Sequence, residues 1–134
     1  MSTPRQLSNT AGASGIALSG FDPVACFTDH RPVHGDPGIS NKRREATYLF
    51  ASQTHEDLFV QDPEKYLPQT GGFCTFGVSV GARFPVDITT WQIRNGKLYF
   101  NLNPAILAAF NADFTGNVAK ARVNWPGLVE KNGQ

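Results

Sequence analysis

The chain of 134 residues reads as one small α+β domain. Alternating apolar segments flank Asn95-Gly96, a pair that asks for a two-residue hairpin turn because both positions need positive φ. Asp22-Pro23, Asp62-Pro63 and Asn103-Pro104 each read as a helix start, with the first residue as cap and proline in the first turn. Strand pairs and helices follow one another without an internal repeat or a linker, at a length typical of a single domain.

The elements follow in order. Residues 1–14 are rich in Ser, Thr, Ala and Gly and read as a flexible arm, so the domain is expected over 15–134. Ile16-Ala17-Leu18 is a short apolar run closed by Gly20, and Asp22 opens one helical turn over Val24-Ala25-Cys26-Phe27. The stretch Asp29 to Asn41 holds two Pro, two Gly and two His and reads as loop. Ala46 to Ala51 is a strand by its aromatic and β-branched content. Ser52 can cap a helix with Leu58 and Phe59 on its inner face. A second helix starts at Asp62-Pro63 and ends at Pro68. Gly71-Gly72 marks a turn, and Phe73 to Val78 is expected as a mostly apolar strand. After the 91–102 hairpin, Asn103-Pro104 opens a helix with Ile106, Leu107 and Phe110 on one side. A last short helix over Val118 to Trp125 is expected to stop at Pro126-Gly127.

Composition excludes several function classes. Apolar residues make up 40% and charged residues 17%, which argues against a disordered chain. The net charge of +1 is too small a field to recruit nucleic acid, and the Lys42-Arg43-Arg44 run, followed at once by Glu45, reads as a solvated loop. No segment approaches the roughly 18 apolar residues of a membrane span, and the polar start does not read as a secretory signal. The chain is expected to be cytoplasmic as given, or periplasmic if an export signal was removed. Cys26 and Cys74 are too few for a disulfide framework, and free thiols are the expectation.

Catalytic motifs are scarce. Gly77-Val78-Ser79-Val80-Gly81 matches the nucleophile-elbow pattern, but a poor helix follows it and no histidine lies beyond His55. Carboxylates come singly or as caps, so no acid–base pair stands out. The soft and borderline donors that remain are Cys26, Cys74, His30, His34 and His55, besides Met1.

One set of motifs carries a resemblance. Gly20-Phe21-Asp22-Pro23-Val24-Ala25-Cys26-Phe27, Thr47-Tyr48-Leu49-Phe50-Ala51-Ser52, Phe59 with Asp62-Pro63-Glu64-Lys65-Tyr66, and Gly71-Gly72-Phe73-Cys74 occur in that order. The 91–102 hairpin and Asn124-Trp125-Pro126 continue the pattern, which resembles the stand-alone bacterial YHS domain proteins over nearly everything after Ser14. The resemblance implies kinship with small heavy-metal-binding modules. In those relatives cysteines stand near the Asp-Pro-Val segment and along the following strand. Here Ala25 stands where the first thiol belongs, with Cys26 one place along. Ala51 stands at the second and His55 at the third. Shifting a side chain by one residue on a helical turn rotates it by about 100°, so the inherited site looks dismantled.

The resulting expectation is a non-enzymatic YHS-type domain that binds a soft metal, copper or zinc, or another small ligand. Cys74, His55, Cys26 and His34 are the candidate metal residues. The rival expectation is a metal-free structural or protein-interaction module, and a thiol enzyme using Cys74 is the weakest reading because no base is placed beside it in sequence. Neither the partner nor a homo-oligomeric state is specified by the residues.

Overall fold

The computed structural model describes residues 15–43 and 46–132. The expected arm over 1–14 lies outside the described residues, as do Arg44 and Glu45. The domain is α+β. Its strands form two separate antiparallel pairs, β1 (Asp36–Arg43) with β2 (Ala46–Phe50) and β3 (Asp87–Arg94) with β4 (Lys97–Asn101). Six helices surround them: α1 (Ala25–Thr28), α2 (Gln53–Gln61), α3 (Pro63–Tyr66), α4 (Thr75–Ser79), α5 (Pro104–Ala112) and α6 (Phe114–Asn132).

The β3–β4 hairpin is the divider of the molecule. Successive side chains of a strand point to opposite faces. Leu98 and Phe100 face one core together with Tyr48, Phe50, Phe59, Tyr66 and Leu67. Tyr99 faces the other, with Phe110, Phe114 and Val118 from α5 and α6. The hairpin turns at Asn95 and Gly96 with φ of 53° and 74°, as the Asn-Gly pair predicts.

Local capping follows the sequence at Ser52 and Asn103, whereas the Asp62 side chain makes no capping hydrogen bond at the start of α3. The Ser52 hydroxyl accepts the His55 N–H at 3.2 Å to start α2, and Asn103 Oδ1 accepts the Ile106 N–H at 2.8 Å to start α5.

Three expectations are corrected. The presumed loop through Asn41 contains β1, because Pro37 and Gly38 sit in an exposed strand of a two-stranded sheet whose register breaks between Asp36 and Ser40. A proline is tolerated in such an edge position. Gly35, just before β1, is required for packing, since a Cβ there would lie 2.4 Å from the Leu49 carbonyl carbon. Lys42 and Arg43 accordingly end a strand and are not in a loop.

The expected strand from Phe73 to Val78 is instead the short helix α4, capped by the Cys74 sulfur. Short apolar runs do not distinguish the two states by pattern alone. Here the Cys74 sulfur caps the turn by accepting the Gly77 N–H, and the Phe84 ring lies against Gly77 with no room for a Cβ (2.7 Å).

Finally, the last helix does not stop at Pro126 but runs through it to Asn132. Pro126 and Gly127 are exposed, so the carbonyl deprived of its N–H partner can be hydrated. Among the described residues, no helix is long and apolar enough to cross a membrane.

Candidate functional site

Asp22 is 1% exposed and organises the region where the resemblance is densest. Its Oδ1 accepts the N–H groups of Val24 (2.8 Å) and Ala25 (3.3 Å), which starts α1. Its Oδ2 accepts the Ala51 N–H at 2.9 Å and lies 2.6 Å from His55 Nδ1. A carboxylate only accepts, so Nδ1 carries the hydrogen. His55 Nε2 then faces Thr28 Oγ1 at 3.2 Å and Asp29 Oδ1 at 3.8 Å. One carboxylate thereby ties α1, the end of β2 and the first turn of α2 together. Removing it would leave buried donors unsatisfied.

Cys74 belongs to a second network. It is fully buried at the start of α4, and its sulfur accepts the N–H groups of Gly77 (3.3 Å) and Leu102 (3.2 Å). The thiol in turn points to Asn101 Oδ1 at 3.5 Å, and that oxygen also accepts the Phe76 N–H at 3.0 Å. Burial pushes the Cys74 thiol up, while the surrounding N–H groups pull it part of the way back. Asn101 is itself buried, and its Nδ2 has no hydrogen-bond partner among the described residues.

The other two candidates lie elsewhere. Cys26, 2% exposed, packs in the larger core, and burial together with the nearby Asp22 charge pushes its thiol up to about 12. His34 stacks on Phe21 with ring centroids 4.1 Å apart. Among the described residues, the hydrogen bonds of Cys74 and of His55 share no residue. A soft-metal site needs two to four converging donors. Among the described residues, no group of three or more His, Cys, Asp or Glu side chains is arranged to hold a metal ion. Ser79 of the elbow pattern ends α4 and donates to the Phe76 carbonyl.

A cleft of about 300 Å³ opens beside the Asp22 network. Leu18, Phe21, Val86 and Ile88 make its apolar walls, and Ser19 and Asp87 supply polar groups. Leu18 and Ser19 both sit in the left-handed region, with φ of 54° and 52°. For non-glycine residues such backbone costs of order 1–3 kcal/mol each and persists only where its surroundings impose it. The neighbouring Asp22 N–H donates to the Val33 carbonyl at 2.8 Å, which with the stacked His34 fixes the Phe21 wall.

No family model, curated protein or solved structure matches the chain.

Sequence reasoning placed Asp22 as a helix cap but missed its second role, because two of its four partners, the Ala51 N–H and His55 Nδ1, come from residues distant in sequence. Asn101 and the cleft residues Ser19 and Asp87 were missed altogether. For Asp87 a signal existed: Asp87-Ile88-Thr89 permits a local turn, and both the Thr89 N–H (2.9 Å) and Oγ1 (2.6 Å) bond to Asp87 Oδ1.

Proposed function

We propose that the chain is a YHS-type, non-catalytic binding domain that works without a resident metal and takes a small ligand in the cleft between residues 18–21 and β3. The observation that carries this reading is the environment of Cys74. Its sulfur accepts two backbone N–H groups and its thiol faces Asn101, so the family's thiol is spent on holding α4 against the end of β4. His55 is likewise engaged with Asp22. Copper or zinc therefore does not fit this donor set, since capture would require at least two of these hydrogen-bond networks to be dismantled. The same residue types that bind metal in related modules act here as internal fasteners.

The cleft supports the binding half of the proposal. Its walls are mostly apolar with two polar groups, the usual make-up of a small-molecule site, and its volume lies at the small end of such sites.

Anaerobic titration with Cu(I) and with Zn(II) against a competing chelator tests the metal-free reading. The expected result is no tight stoichiometric uptake by wild type, with Cys74→Ser and His55→Gln indistinguishable from it. One equivalent held tightly by wild type and lost in Cys74→Ser would overturn the reading.

A further inference from the structure

Resting on the cleft reading above, we infer that the ligand is a small apolar molecule carrying a protonated amine, with its apolar body between the Phe21 and Ile88 walls and its ammonium on the Asp87 carboxylate. Asp87 is the one charged side chain lining the cleft among the described residues. Both hydrogen bonds from Thr89 fall on Oδ1, which orients the carboxylate and leaves Oδ2 for a ligand. Those same bonds, the hydroxyl's first, hold the Asp87 carboxyl below its usual range, so it is negative at neutral pH.

Charge sign then selects the ligand. An anion entering the cleft would meet a like charge with no cation among the described lining residues to offset it. A neutral apolar molecule would gain from the walls but offer the carboxylate no opposite charge. An ammonium answers both needs, and Ser19 at the rim offers a hydroxyl to any second polar group. Specificity for the cation arises because charge-assisted hydrogen bonds are the stronger kind. The Asp22 network stands behind this site as a support: it fixes the segment bearing Phe21 and touches no ligand.

The test uses phenethylammonium and its neutral counterpart, phenethyl alcohol, titrated into the isotope-labelled full chain while backbone amide resonances are followed. The expected result is saturable shifts at residues 18–21 and 86–88, with Asp87→Asn weakening the ammonium by about two- to fivefold and leaving the alcohol unchanged. Added salt gives a readout that needs no variant, since it should weaken the ammonium alone. If both probes bind the cleft equally, with no effect of Asp87→Asn or salt, the cleft reading stands and the inference fails. If neither probe shifts these amides, the cleft reading falls and the inference falls with it.

Discussion

At the scale of single residues, two thiols and one carboxylate show how chemistry is diverted into architecture. Cys26 and Cys74 are both buried, and burial is the largest influence on each thiol, in both cases favouring the protonated form. This has a consequence for stability. Between about pH 9, where an unfolded Cys26 loses its proton, and about pH 12, where the folded one does, the unfolded chain binds fewer protons than the native one. Stability is therefore fully present below that window and falls as pH rises through it. Cys74 and Tyr99, both raised chiefly by burial, act in the same direction. Urea midpoints should drop between about pH 9 and about pH 12, and Cys26→Ala should show a shallower drop than wild type. Identical slopes for the two proteins would place Cys26 outside the linkage.

At the scale of elements, the hairpin is the most self-contained unit. A Cβ at Gly96 would meet nothing within 4 Å, so the cost of Gly96→Val is one of backbone strain at φ of 74° and not of collision. We expect a loss of about 1–3 kcal/mol in equilibrium unfolding, against near neutrality for an ordinary surface change. An unchanged midpoint would contradict the turn geometry. The hairpin, α2, α3 and α5 were readable because their signals are local: Asn-Gly, Ser52, Asp62-Pro63 and Asn103-Pro104 act within a few residues. The misread elements depend on partners distant in sequence. β1 exists because β2 pairs with it despite Pro37 and Gly38. α4 starts at a cap supplied by the Cys74 sulfur, which the apolar pattern does not announce, and packs Gly77 against the distant Phe84 ring. α6 continues past Pro126 because the proline falls on an exposed stretch.

At the scale of the whole molecule, three segments distant in sequence meet at one carboxylate. Asp22 comes from the Asp-Pro-Val segment, Ala51 from the end of the Tyr48 strand and His55 from the helix after it, and all three join at a single carboxylate. Sequence could list these residues as a pattern. It could not distinguish a ligand set from a frame, because that depends on whether each side chain faces a common empty point or another protein group. The same limit applies to Cys74, whose thiol points to Asn101, a residue far from it in sequence. The frame adjoins the segment that carries Phe21, so this network lies next to the cleft. The measurement that tests this account most directly is a double-mutant cycle on Asp22→Asn and His55→Gln by equilibrium urea unfolding. The account predicts that each single substitution costs about 2 kcal/mol or more, and that the double variant loses less than their sum by about 1 kcal/mol or more. Wild-type midpoints for all three variants would contradict it.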